Sequence, residues 1–509
     1  MSGWTVDFRS LTMDYFLGID LGSTSLKAII YDTDGRLIAR GDRPTLKFHP
    51  TPEATVWNPD QIWNDTAAAC RDAVAQIQNP ADIKGVAVTG MGMDGVPMDE
   101  KGNWLYPFIS WHDTRTQPQF DWWINSIGVD KSFSIGGNPV LIINSALRML
   151  WMQENEPQIF ERTFKWLLIE DFLNFKLTGR YVSDYSMASC TMLFEQQTRH
   201  WSDEMCALSG IPKRILPDVF PSSTFLGEIT AAAAEKTGLP PGTPIYLGGH
   251  DHLVSAIPSG AFRAGAVMNI TGTWETVNMI TPVPTSNPAL GRSGITLQAH
   301  AVKDKYSIWG GNPAGSALDW FRNEVAAPAS WETLIESAKT SVPGAGRVLF
   351  LPHLSTSSCP KVDPKALGAF IGLSGLTKQG DLVRAVIEGL DFQFLDTVRT
   401  MEELTGNQAT EFLGVGGATR NAFWMQNKAD MVGRPYCIPE VEEATVLGAA
   451  ILAGIGAGAY RDEEDAFCRV CRSDTVYEPD LRLTAFYAER FEIYRELFRA
   501  VSPIHHRLF

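Results

Sequence analysis

The feature that most restricts what this chain can fold into is a β-meander that occurs twice. In YFLGIDLGSTSLKAIIYDTDGRLIARG, residues 15–41, two β-rich runs join through Gly22-Ser23-Thr24, and a turn at Asp34-Gly35 leads into a third strand. In AGAVMNITGTWETVNMITPV, residues 264–283, a Gly-Thr turn again separates two apolar strands. The copies stand about 250 residues apart, far too long a period for a solenoid, so two related lobes are the simpler arrangement. After the first meander comes WNPDQIWNDTAAACRDAVAQIQ, with apolar residues at helical spacing, Asn58 as N-cap and Pro59 in the first turn. KGVAVTGMGM then resumes as a buried strand. This alternation predicts an α/β protein in which each lobe is a mixed or largely parallel sheet flanked by helices, with a ligand cleft between the lobes. The boundary is set near residue 258, giving lobes 14–257 and 258–509.

Further elements refine the layout. Residues 113–220, rich in Trp and Phe, read as a mostly helical insertion that forms a cap. Asp381 is expected to cap a long helix whose stripe is Val383, Val386, Ile387, Leu390, Phe394, Val398 and Met401, ended by Gly406. In EEATVLGAAILAGIGAGAY the lack of bulk at Gly448, Ala449 and Ala450 permits close approach of backbones.

Composition removes several function classes. With 44% hydrophobic and 20% charged residues the chain is an ordinary globular protein. Its 43 basic and 58 acidic residues leave a net charge of −15, unsuited to neutralising nucleic-acid phosphates. No stretch approaches the ~18 apolar residues of a membrane span, and MSGWTVDFRSLTMDY is too polar for a signal-peptide core, so a cytoplasmic location is expected. The seven scattered cysteines suit a reducing compartment. The pair Cys468 and Cys471 has neither a redox context nor a second pair for zinc, and is read as structural.

Four segments carry chemistry. In GIDLGSTSLK, Asp20 ends a buried strand, where a carboxylate is costly unless it is paired or faces a cation; the following Gly-Ser-Thr turn offers donors to an anion. The alternative is a hairpin with Asp20 bonded to its own turn. Neither a P-loop nor a helix-opening G-x-G-x-x-G is present. In LGGHDH, Asp251 follows two glycines at a strand-to-helix junction and suits a general base; a helix N-cap is the plain alternative. Metal ligation by His250, Asp251 and His252 is disfavoured, since consecutive residues rarely converge on one ion. Thr271-Gly272-Thr273-Trp274 and Gly414-Val415-Gly416-Gly417-Ala418-Thr419-Arg420-Asn421 place flexible backbone after strands, where phosphate oxygens or a flat base are received.

Taken in order with LTGRYVSDYSMASCTMLF and GAFIGLSGLTKQGDLVRAVIEGL, these segments resemble the FGGY family of carbohydrate kinases, over about Phe16 to Tyr460. The resemblance implies two actin-like (ribonuclease H-like) lobes and a kinase that uses ATP and Mg²⁺. It implies that Asp20 helps hold Mg²⁺ and that Ser23, Thr24 and Lys27 lie by the phosphates. By the same resemblance, Gly272 and Thr273 form a second phosphate loop, Gly315, Gly417 and Asn421 wall the adenosine pocket, and Asp251 is the catalytic base. The two acids, Asp20 and Asp251, are expected to meet across a hinged gap.

At the places where family members contact the sugar stand Asp94, Trp111, Asp113 and Arg115, with Arg115 equally suited to pairing with Asp113. The sequence departs from D-xylulose kinases, which usually carry Gln-Met-His-Gly where Met91 to Asp94 stand, and from glycerol kinases, which place Arg-Glu there. The resemblance favours a pentulose such as xylulose, or a four- or five-carbon polyol of the erythritol or glycerol type, and allows a homodimer. A non-catalytic sugar or nucleotide sensor and an actin- or chaperone-like ATPase are the competing classes; the presence of both Asp20 and Asp251 opposes the first, and the polar aromatic cluster at 94–115 the second.

Overall fold

The computed structural model describes residues 14–51, 54–327, 329–471 and 474–508; the polar N-terminal segment, residues 1–13, lies outside them. The first sheet contains β1 (Tyr15–Leu21), β2 (Ser25–Asp32), β3 (Leu37–Pro44), β4 (Ile83–Gly90), β5 (Phe225–Glu228) and β6 (Pro244–His250), in the order β5-β6-β4-β1-β2-β3. β1 runs antiparallel to β2 and parallel to β4, which is parallel to β6. The second sheet contains β7 (Ala266–Thr271), β8 (Trp274–Thr281), β9 (Thr296–Ala299), β10 (Tyr306–Pro313), β11 (Glu411–Val415), β12 (Tyr436–Pro439) and β13 (Asp474–Tyr477), in the order β9-β10-β8-β7-β11-β12-β13. Its run β10-β8-β7-β11-β12 repeats β3-β2-β1-β4-β6: an antiparallel meander followed by two parallel strands. The recurrence in the sequence is thus a recurrence of topology.

Period-2 alternation explains the packing of β1. Leu17, Ile19 and Leu21 enter the core that holds Ile62 and Trp63 of helix α1 (Pro59–Val74). Asn58 caps α1 by accepting the Gln61 N–H at 3.0 Å, with Pro59 in the first turn. The opposite face of β1 meets a helix from the far end of the chain. Numbering helices in chain order, α2 is Gly315–Trp320, α3 Trp331–Thr340, α4 Gln379–Thr405, α5 Ala422–Val432, α6 Ala444–Gly456 and α7 Leu481–His505. Helix α6 packs Val446, Ala449, Ala450 and Ala453 with Phe16, Ile29, Tyr31 and Ala87 of the first sheet. The approach is so close that a Cβ at Gly18 would stand 2.1 Å from the Val446 carbonyl oxygen.

The span between β4 and β5 is not purely helical. Its helices Gln117–Ser126, Val129–Gly136, Ser145–Asn155 and Ile169–Thr178 are interleaved with short strand pairs such as Phe194–Glu195 with His200–Trp201. Helix α4 buries the expected stripe and ends at Gly406, but Asp381 is not its N-cap. The helix begins earlier, after Lys378, and Asp381 reaches back from the first turn to accept the Lys378 N–H at 2.9 Å. All seven cysteines are free thiols.

Candidate active site

The side of β1 that carries Phe16 and Gly18 also carries Asp20, just beyond the end of α6. Opposite Asp20 on β2 is Lys27, whose Nζ lies 2.6 Å from Glu443 Oε2. Glu443 precedes α6 in a left-handed conformation, φ +51°, uncommon for a non-glycine residue. The 22–24 turn is tied down by Thr45, whose Oγ1 donates to Gly22 O at 2.7 Å and whose N–H donates to Thr24 O at 3.1 Å. Ser23 is half-buried and Thr24 exposed.

Asp251 opens a one-turn helix, Asp251–Val254, at the end of β6. Asp20 is in register with Thr89 of β4, and Thr89 with Gly249 of β6. Two strand spacings, about 10 Å, therefore separate the backbones that carry the two acids. Both acids rise from the carboxyl ends of strands in one sheet, within the lobe 14–257, and not across a hinged gap as the sequence reading expected. Burial, then the charge of Asp251, push the Asp20 carboxyl up to about 8. Asp20 Oδ1 is buried without a hydrogen-bond partner, so a carboxylate oxygen is available there for a cation. Burial pulls Asp251 upward too, but its hydrogen bonding with His252 and the fields of both imidazoles prevail and hold it below the usual carboxylate range. The His252 N–H donates to Asp251 Oδ1 at 2.6 Å. In the absence of a cation, Asp20 thus keeps a proton at neutral pH while its neighbour stays ionised. The ligand atoms of His250, Asp251 and His252 do converge, within 4.8 Å of one another, against the expectation for consecutive residues.

The second sheet faces a cavity of about 860 Å³. It is lined by Gly272 and Thr273 of the β7–β8 turn, Gly315 at the start of α2, and Gly417 and Asn421 before α5, which the sequence singled out from three distant segments. Helix α2 docks directly on the turn: the Ala314 N–H donates to Thr273 O at 3.0 Å and the Gly315 N–H to Gly272 O at 2.9 Å. Asn421 caps α5, accepting the Trp424 N–H at 3.2 Å. Trp331 and Ile335 of α3, with Phe423, supply apolar walls that the sequence reading missed.

Asp94, after β4, is fully buried: its Oδ2 accepts the Trp57 indole N–H at 2.6 Å, and Arg148 lies 3.7 Å from Oδ1. Burial lifts its carboxyl to about 7 despite these partners. Met93, just before it, has φ +76°. Asp113 is buried and saturated, receiving the Thr55 N–H at 2.8 Å and a two-pronged contact from Arg115 at 2.6 and 2.8 Å. The pairing alternative for Arg115 is therefore realised. Trp111 is 37% exposed and stacks on His112 with ring centroids 3.8 Å apart.

Residues 15–258 match the N-terminal domain of the FGGY family of carbohydrate kinases, and residues 267–457 match its C-terminal domain. The chain belongs to this family. L-fuculokinase of Escherichia coli K12 is 30% identical over 464 residues, covering 90% of this chain and 96% of that protein. Xylulose kinase of Bacillus subtilis is 28% identical over 492 residues, covering 96% and 97%. Among solved structures, xylulose kinase from Rhodospirillum rubrum superposes with a TM-score of 0.90 at 27% identity, over 97% of this chain and 100% of that one. Gluconate kinase from Lactobacillus acidophilus shares the fold, with a TM-score of 0.89 at 23% identity over 98% and 100%.

The FGGY kinase is accordingly a phosphotransferase with an alcohol group as acceptor; sugar kinases of this family use ATP, typically with Mg²⁺. Among its described residues no helix is long and apolar enough to cross a membrane. Besides the apolar walls, three further participants of this FGGY site escaped the sequence reading. Glu443 stands as the last charge before the Gly- and Ala-rich helix, a signal that was available. Arg148 and Trp57, which hold Asp94, carried none, because each comes from a different segment with no local motif.

Proposed function

We propose that this kinase transfers the γ-phosphoryl group of ATP to a hydroxyl of a small sugar or polyol, a pentulose such as xylulose being favoured, in the cytoplasm. The observation that carries this reading is the pair of acids at the carboxyl ends of β1 and β6, one with an orphaned buried oxygen and one held ionised. Asp251 orients the acceptor hydroxyl and takes its proton as the new P–O bond forms. Asp20, with its unpartnered Oδ1, would hold Mg²⁺, which would supply charge neutralisation for the phosphates. Ser23, Thr24, Lys27, Gly272 and Thr273 receive the phosphate oxygens, while Gly315, Gly417 and Asn421 border the adenosine in the 860 Å³ cavity. Asp94 and Trp111 face the sugar, and the Asp113–Arg115 pair stiffens the same wall. The working division is a lobe of residues 14–257 that binds sugar and metal and a lobe of residues 258–509 that binds ATP, and closure of the cleft between them excludes water as a competing acceptor. The relatives named xylulose kinase support the pentulose preference.

The test is a coupled ADP-release screen over ketoses and alditols of about three to seven carbons, run on the native chain and on Asp251→Asn. General-base help is typically worth ~10²–10⁴ in rate, so the variant should lose that much in kcat while nucleotide binding persists. If no member of the panel raises turnover above ATP hydrolysis, the substrate class is wrong. If Asp251→Asn keeps a near-native rate, Asp251 is not the base.

A further inference from the structure

The peptide bond joining Gly249 to His250 lies one residue before Asp251, next to the register shift between Leu247 and Gly249. Both of its polar groups are held by side-chain hydroxyls. Thr89 Oγ1 donates to Gly249 O at 2.6 Å, and the His250 N–H donates to Ser186 Oγ at 2.8 Å. The two contacts grip one rigid peptide plane from its two ends.

The second contact depends on polarity. A serine hydroxyl has a single proton, and that of Ser186 goes to Asp184 Oδ1, which also accepts the Ser186 and Met187 N–H groups at 2.7 and 3.3 Å. Ser186 Oγ is thereby left as an acceptor towards His250. The remaining Asp184 oxygen, Oδ2, and Glu170 Oε2 are both buried without a hydrogen-bond partner. A proton shared between these two carboxyls would satisfy both atoms. Burial above all raises the proton affinity of Glu170 and of Asp184, with the charge of Asp184 adding to it at Glu170.

We propose that Thr89 and Ser186 are positioning residues for phosphoryl transfer: they fix the Gly249–His250 peptide plane, one residue before Asp251, and so the direction in which the chain delivers Asp251, and Asp184 with Glu170 holds the Ser186 hydroxyl in the required polarity. This rests on the reading of Asp251 as the base. A base misplaced by about 1 Å forfeits up to ~10²-fold in rate, because the acceptor hydroxyl no longer sits in line.

Ser186→Ala, Thr89→Val, their combination and Ser186→Thr are compared using ATP with the fastest sugar of the ketose and alditol panel. Rates are expressed per nucleotide-binding site, so that misfolded protein is discounted. Each single loss should lower kcat ~10- to 100-fold with KM for ATP within about twofold. The acid limb of the kcat/KM profile should move to higher pH as Asp251 loses its fixed alignment on the His252 N–H. Ser186→Thr, which keeps a hydroxyl, should recover most of the rate, and the double variant should fall short of the product of the singles. An unchanged kcat per site, or a Thr variant no better than Ala, overturns the proposal. Asp251→Asn is assayed alongside: if it is inactive while Ser186→Ala and Thr89→Val run normally, only the positioning role fails, whereas an active Asp251→Asn removes the base assignment itself.

Discussion

Asp20 should be a site where binding competence is held at the expense of stability. In the folded chain its carboxyl keeps a proton up to about pH 8, against 3.8 for an ordinary aspartate. Between these values the folded state binds the additional proton, so stability falls as pH rises, by about 1.4 kcal/mol per unit. The loss begins above the ordinary value, reaches about 4 kcal/mol at pH 7, and levels off above about pH 8. Asp20→Asn removes the charge and keeps the shape. Without nucleotide or Mg²⁺, the variant should therefore be more stable than the native chain at neutral pH and indistinguishable from it near pH 4. With a melting entropy of about 2 cal/mol/K per residue, 4 kcal/mol is worth about 4 °C if the whole chain melts as one unit and about 8 °C if one lobe melts alone. Calorimetry from pH 4 to 8.5 checks this, and adding Mg–ATP should then stabilise the native chain far more than the variant. A variant that melts at or below the native temperature at pH 7 to 8, or one with the same pH slope, would refute the reasoning.

Two close backbone approaches give further expectations. At Gly315 a Cβ would stand 2.5 Å from the Gly272 carbonyl oxygen, so Gly315→Ala should push α2 off the β7–β8 turn and weaken nucleotide binding about tenfold or more; fluorescent-nucleotide titration alongside sugar KM will show whether the loss is confined to the ATP side. At Gly18 the clash with Val446 O at 2.1 Å lies between α6 and the first sheet, so Gly18→Ala should cost roughly 2–4 kcal/mol and lower the urea midpoint even if activity survives in the folded fraction.

What could be seen in advance divides along a physical line. The doubled meander was legible because a half-buried strand alternates its residues and a turn needs small or polar ones, both strictly local demands. Asp20 and Asp251 stood out because a charge at the end of an apolar run has to be explained by something outside that run. The docking of α6 was not legible. Its residues are apolar on nearly every side, so they state that the helix is buried without saying which sheet buries it. The pairing of Lys27 with Glu443 spans 416 positions, and neither residue's surroundings in sequence point to the other. Asp113 looked available for ligand because its backbone donor, Thr55, is brought to it only by the folded chain; its bidentate partner, Arg115, two residues on, was the one partner the sequence did offer. Asp381 was misplaced by less than a turn, since an acid in the first turn and an acid at the cap leave nearly the same trace.

The late arrival of α6 has a consequence for biogenesis. One face of the first sheet is roofed by residues 444–456, about 200 positions downstream of β6. At a ribosomal pace of about 5–20 residues per second, that apolar surface stays bare for roughly 10–40 s after its last strand has emerged. The nascent N-terminal half is then a natural client for a holdase chaperone, and a fragment ending near residue 258 would be made with its sticky side uncovered.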